Sequence, residues 1–171
     1  MIVTDLDGTL LTDDGNILSH TLSILEKCKK AGIKIVIAST RSRLAAQDII
    51  ELIKPDYSIL NDGAIILDKN NEIIYNELLS LEKLDEINNE YKKNINIEKM
   101  TAVKQICESQ NISLSEVVAF GDNLNDIEMI KKCGIGIAME NAIHTIKMFA
   151  KGVCGNNNED GVAKWTEGNI F

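Results

Sequence analysis

Ile2-Val3-Thr4-Asp5-Leu6-Asp7-Gly8-Thr9-Leu10 sets the architecture of this chain. A short apolar run, Ile2-Val3, leads into two carboxylates one residue apart, and a glycine follows them directly. If residues 2–4 form a strand, Asp5 and Asp7 fall on the same side of an extended backbone. They then project together from the strand's carboxyl end, where open α/β sheets place their sites. Two such carboxylates repel each other unless a cation lies between them or one keeps a proton. That arrangement suits magnesium and phosphate chemistry. A solvated turn is the plainer reading. A calcium loop fails on spacing, because it needs glycine at its sixth position and an acid at its twelfth. Counted from Asp5, Gly8 is fourth and Asn16 is twelfth.

Strand and helix signals alternate along the rest of the chain. Ser19 caps a helix running to about Ala31, with Gly32 as its stop. Ile33 to Ala38 is a β-branched run of strand length. Leu44 to Ile53 reads as a helix ended by Pro55, and Tyr57 to Leu60 as a third strand. Ile65 to Leu67 and Glu72 to Tyr75 flank Asp68-Lys69-Asn70-Asn71, a hairpin turn. Leu81 to Tyr91 reads as an amphipathic helix, Ile95 to Ile97 as a brief strand and Thr101 to Ser109 as a helix. Val117 to Phe120 is a buried-type strand ending at Gly121-Asp122. A helix from about Asp126 to Lys132, a strand over Gly134 to Met139 and a helix over Ala142 to Phe149 follow. A last short helix, Asp160 to Glu167, is anchored by Trp165, while Asn156-Asn157-Asn158 reads as a surface turn. The alternation predicts a doubly wound parallel sheet of Rossmann-like α/β type, with helices on both faces.

At 171 residues the chain has the size of one domain, expected over 1–171. Its net charge of −8 argues against nucleic acid as a partner. The same balance means that positive charge must be supplied locally wherever a phosphate binds. The first motif begins at residue 5, which leaves no room for a signal peptide, and no apolar run is long enough to span a membrane. The four cysteines lie in or beside apolar segments and form no CxxC pair. Buried free thiols in a reducing, cytoplasmic setting are the expectation. His20 and His144 read as surface residues.

Three further polar groups fall at ends of expected strands or helices. Ser39-Thr40-Arg41 follows the second strand, Gly121-Asp122-Asn123-Leu124-Asn125-Asp126 follows the strand at Phe120, and Lys99 opens a helix before it. Strand ends of a doubly wound sheet cluster on one edge. A hydroxyl, a lysine and a second acidic group can therefore converge on Asp5 and Asp7. Each has a task in phosphoryl transfer, where catalysis is mostly positioning and charge neutralisation.

With these motifs in order, the chain resembles the haloacid dehalogenase superfamily of phosphatases. The segment from Gly121 through Ala142, ending GIGIAMENA, is most similar to the Cof-like branch, as are Asn61-Asp62-Gly63-Ala64, Lys99-Met100-Thr101-Ala102 and Glu159-Asp160-Gly161-Val162-Ala163. The resemblance implies Asp5 as the nucleophile that forms an aspartyl-phosphate. It implies Asp7 as the acid that protonates the leaving oxygen and then the base that activates water. Magnesium is implied at the Asp5 carboxylate, the Asp7 backbone carbonyl and Asp122. Ser39, Thr40, Lys99 and Asn125 are the implied phosphate contacts, with Lys99 neutralising charge on Asp5. Asp126 is implied to order the metal site from behind; as an acid near a helix start it is also favoured by the dipole. Two positions depart from the family pattern. Thr40 replaces a glycine of usual backbone freedom, and Asp62 stands where an asparagine is usual.

The largest departure is length. Cof-like enzymes carry a cap domain between the Asn-Gly motif and the motif lysine. The interval 67–98 holds 32 residues here, and an independent domain needs about 50 or more. The expected cap is a small remnant. An open site then calls for a large substrate or for a second subunit that covers it, and Ile73, Ile74, Leu78, Leu79, Leu81 and Leu84 are candidate contacts of such a homo-oligomer. The functional expectation is a magnesium-dependent phosphatase of small phosphomonoesters such as sugar phosphates. The alternative is a non-catalytic remnant that binds a phosphorylated ligand or a partner. A third reading, a phosphoacceptor signalling domain, shares the sheet architecture and an acidic magnesium site, but the DxDGT order fits it poorly.

Overall fold

The computed structural model describes residues 1–76 and 98–171. The helix expected over 81–91, the strand over 95–97 and most of the cap remnant lie outside the described residues.

Eight strands form one sheet in the order β5-β4-β3-β2-β1-β6-β7-β8. They are β1 (Ile2–Thr4), β2 (Ile35–Ala38), β3 (Tyr57–Leu60), β4 (Ile65–Asp68), β5 (Ile73–Asn76), β6 (Val118–Gly121), β7 (Ile135–Ala138) and β8 (Gly152–Val153). The six from β3 to β8 across the centre pair in parallel, and the β3-β4-β5 meander adds an antiparallel edge. The described helices are α1 (Ser19–Lys30), α2 (Arg43–Ile53), α3 (Lys99–Gln110), α4 (Ile127–Lys132), α5 (His144–Phe149) and α6 (Gly161–Ile170).

The chain leaves β1 in one direction, toward β2 and β3, and returns on its other side as β6, β7 and β8. Right-handed crossovers then place the two sets of helices on opposite faces. The contacts agree: α1 packs on α6, while α3, α4 and α5 pack in a row. Because β1 is central, its residues are covered on both faces, and Ile2, Val3 and Thr4 are all buried. β2 is buried at every position, which is why its run is continuously apolar rather than alternating. Phe120 meets Trp165 edge to face at 5.3 Å, so the tryptophan packs α6 onto the sheet.

Several expectations shift by a residue or two. Ser19 is not a cap but the first helical residue, and Leu18 ends the extended segment before it with no side-chain cap. α3 begins at Lys99, not at residue 101. β8 was not expected; a two-residue strand has no periodicity to read. Asn157 corrects the surface-turn reading, since it is buried and its amide donates to the Leu11 carbonyl at 2.9 Å. All four cysteines are buried and free, as expected. His144 is exposed, and half-buried His20 lies 3.6 Å from Glu167. Among the described residues no helix is long and apolar enough to cross a membrane.

Candidate active site

The sheet reverses its winding at β1, between β2 and β6. A crevice opens at the carboxyl ends of the strands at such a switch point. Thr4 is the last paired residue of β1, opposite Ile37 of β2 and Phe120 of β6. The next residues on each strand therefore meet at one place: Asp5 after β1, Ser39 after β2 and Asp122 after β6.

Asp5 and Asp7 both sit on extended backbone, yet their carboxylates go to different surroundings. Asp5 is buried, and Lys99 Nζ donates to its Oδ1 at 2.6 Å. The same ammonium donates to Asp126 Oδ1 at 2.7 Å. Lys99 is only 1% exposed and Asp126 fully buried, so this is an ion triad in the interior. Such a triad persists only when its remaining polar atoms are satisfied. Asp126 meets that condition, because its Oδ2 accepts from the backbone N–H groups of Asp122 and Asn123 at 3.1 and 3.2 Å. The triad ties α3, the loop after β6 and Asp5 into one unit.

Burial pushes the Asp5 carboxyl up to about 7, with Lys99 pulling it down and Asp126 and Asp122 adding to the rise. Burial works against the Lys99 charge, but Asp5 and Asp126 outweigh it and raise its pKa. Asp122 is also raised, by burial first; the Thr9 hydroxyl, donating to its Oδ1 at 2.8 Å, opposes this. Carboxylates held this way need more positive charge than one lysine supplies.

The residues present suit a divalent cation. Asp5, Asp122 and Asp126 each bring an oxygen within 4.8 Å of the others. Asp126 is already committed to Lys99 and two backbone donors, which leaves Asp5 and Asp122 as the side chains able to hold a metal. Gly8 makes room for this. Its φ is +74°, and a Cβ there would lie 2.6 Å from Asp122 Oδ2. Only glycine admits both the turn and the close approach.

Asp7 lies outside this cluster. Its carboxylate is about half exposed and receives both arms of Arg41, Nε to Oδ2 at 2.8 Å and Nη2 to Oδ1 at 2.6 Å. Ser39 is buried, and its Oγ accepts from the Arg41 backbone N–H at 3.1 Å. Thr40 is exposed and is not among the residues with positive φ, so the threonine there costs the backbone nothing. The left-handed conformations fall on Asn61, Asp62 and Gly63 instead. Asp62 accepts from the Asn125 amide at 3.4 Å, which draws Asn125 toward the loop after β3.

Sequence reasoning assigned no role to Arg41, Thr9 or Asn141. The Asn141 amide donates to the Gly8 carbonyl at 2.7 Å, and its Oδ1 accepts from the Asn157 N–H. Asn157 and Asn158 in turn hold Asp13. The loop that follows the two acids is thus clasped by residues more than 130 positions away. A polar residue two positions after Ser39 was visible, but nothing local told which acid it would meet.

Comparison with known proteins agrees with this geometry. A family model described as haloacid dehalogenase-like hydrolase matches residues 2–96 and 93–165. The chain is 25% identical to the 5-amino-6-(5-phospho-D-ribitylamino)uracil phosphatase YcsE of Bacillus subtilis, over 96% of this chain and 93% of that one. That alignment runs over 231 positions, so at least 60 lie opposite gaps in a chain of 171. It is 47% identical to the pyridoxal phosphate phosphatase YbhA of Escherichia coli over 58 residues, 34% of this chain but only 21% of the relative's length. Among solved structures, a haloacid dehalogenase-like hydrolase from Bacteroides thetaiotaomicron superimposes with a TM-score of 0.86 at 21% identity, covering 99% of this chain and 98% of the other.

Proposed function

The chain belongs to the haloacid dehalogenase-like hydrolases of Cof type, and we propose on that premise that it is a magnesium-dependent phosphatase of small phosphomonoesters. The observation that carries the reading is the buried Lys99 between Asp5 and Asp126. A binding module has no need of a desolvated carboxylate held by a lysine at a strand end, whereas a nucleophile does.

Asp5 is the nucleophile. Its free oxygen attacks phosphorus as the bond to the leaving oxygen breaks, and the phosphoryl group is carried on Asp5. Asp7 gives a proton to the departing oxygen and later takes one from the attacking water. Lys99 keeps Asp5 aligned and offsets the charge of the transferring group. Ser39, Thr40 and Asn125 line the phosphate position. Asp5, Asp122 and the Asp7 carbonyl would hold magnesium, which supplies charge neutralisation at the phosphoryl oxygens. Asp126 acts from behind by holding Lys99 and the Asp122 and Asn123 backbone.

Sugar phosphates and similar phosphometabolites are the proposed substrates; both matched relatives above are named for small phosphate esters. A single core domain with a reduced cap over 67–98 is part of the proposal. The gaps opposite the 231-position alignment support it, as does a family match that falls in two pieces meeting at residues 93–96. The buried free thiols suit a reducing, cytoplasmic setting. The half-exposed Ile73 and Ile74 of β5 are available to a second subunit.

The test is phosphate release from p-nitrophenyl phosphate and a panel of sugar phosphates, with and without magnesium, beside Asp5→Asn. Metal-dependent turnover lost in the variant is expected. No turnover on any ester by a folded, magnesium-binding protein overturns the proposal and favours a phospho-ligand binding role.

A further inference from the structure

We infer that Arg41 is a positioning residue that holds Asp7 in the form needed to activate water in the second half of the reaction. The inference rests on the phosphatase reading and deepens it. Both carboxylate oxygens of Asp7 accept from Arg41, at 2.6 and 2.8 Å. This is the fork-to-fork geometry that fixes a carboxylate in plane. Each oxygen keeps a second lone pair for a further donor. The pair therefore presents Asp7 as a proton acceptor of set orientation.

Arg41 is itself fixed at every other point. Its backbone N–H donates to Ser39 Oγ, and its carbonyl accepts from the Asn61 N–H at 3.0 Å. Its remaining arm, Nη1, donates to the Ala45 carbonyl in the first turn of α2 at 3.3 Å. An arginine meant to capture a substrate anion would keep its fork open. This one spends the fork on Asp7 and the third corner on the scaffold. Nor does stability account for the pair. The two side chains are 25% and 54% exposed, and ion pairs this open contribute little.

For an ester whose leaving group departs unprotonated, the chemical consequence falls on the second step alone. When water attacks the phosphoryl group on Asp5, its proton passes to Asp7, the Asp5–phosphorus bond breaks, and inorganic phosphate leaves. Without Arg41, Asp7 loses its orientation, and the phosphoryl group persists on Asp5. With p-nitrophenyl phosphate the leaving group departs as a stable phenolate without the proton Asp7 gives to poorer leaving groups. Forming the intermediate then needs Asp5 and Lys99, to which Arg41 makes no described hydrogen bond.

The experiment compares wild type, Arg41→Gln and Arg41→Lys by rapid mixing with p-nitrophenyl phosphate, with intact-mass measurement of acid-quenched protein. For Arg41→Gln we expect a burst of about one p-nitrophenol per site, then steady turnover reduced at least about tenfold, with phosphorylated protein accumulating. Arg41→Lys keeps the charge and one of the two bonds, so it should recover part of the steady rate. Circular dichroism and melting temperature should match wild type. A slower burst, a raised KM without phosphoprotein, or unchanged turnover overturns the inference and makes Arg41 a substrate contact or a bystander. Absence of turnover in wild type instead overturns the phosphatase reading beneath it.

Discussion

The two acids of the opening motif have a single residue between them and live in opposite environments. Asp5 is buried in an ion triad with Lys99 and Asp126. Asp7 is half exposed and clamped by Arg41 at the rim. The interior half is built for strong, fixed electrostatics, because low dielectric makes each charge count and each unpaired charge expensive. On the proposed mechanism the rim half carries the proton traffic, since an exposed carboxylate can meet water and leaving group alike. Only the buried Leu6 stands between them, and the turn at Gly8 follows both. The difference teaches that spacing alone does not make two carboxylates equivalent; the cation each finds sets its task.

The largest effect should come from breaking the interior half. Lys99→Met leaves Asp5 and Asp126 buried with no counterion. We expect a loss of about 3 kcal/mol in urea denaturation at neutral pH, smaller at pH 5, where Asp5 takes a proton. A stability equal to wild type at both pH values would show that the two halves are not electrostatically distinct. Next comes the turn that follows both. Gly8→Ala places a methyl against Asp122 and forces a left-handed residue, and should cost about 1–2 kcal/mol. Magnesium affinity, read by calorimetry, should fall with it while Arg41 still reaches Asp7.

The last prediction sharpens the contrast through pH. Asp5 has its folded pKa raised to about 7 from 3.8. Between those values the folded protein binds the proton that the unfolded chain has released, so stability falls as pH rises across that window and levels above it. The melting temperature of wild type relative to Asp5→Asn should therefore decline from about pH 4 to about pH 7 in chelator. Added magnesium should flatten the slope. A rising difference would mean that Lys99 outweighs burial and holds the folded Asp5 pKa below its unfolded value.

Much of this was legible in the chain because it is carried by local signals. The β-branched run at Ile35–Ala38 and the hairpin turn after Asp68 read directly as strands and turn. The acid pair, Ser39 and Asp122 read as strand-end residues. The burial of Lys99 did not, because Glu98-Lys99-Met100 has the look of a solvated helix start. Its environment comes from Asp5, 94 positions earlier, and Asp126, 27 later. Arg41 drew no role from the sequence for the same reason: its partner Asp7 lies 34 positions earlier. Asn157 read as surface because asparagine runs usually are; its burial follows from the Leu11 carbonyl, which needs a donor that only the distant segment provides.

The central place of β1 bears on how the protein is made. β1 is made before either of its sheet neighbours; β2 follows it at residues 35–38, but its other edge waits for residues 118–121. Until then the nascent chain presents an open strand edge with Asp5 at its tip. The acid that steadies Lys99 is made later still, at residue 126. Synthesis order and assembly order thus run against each other, and the site closes as a single late event rather than growing with the chain.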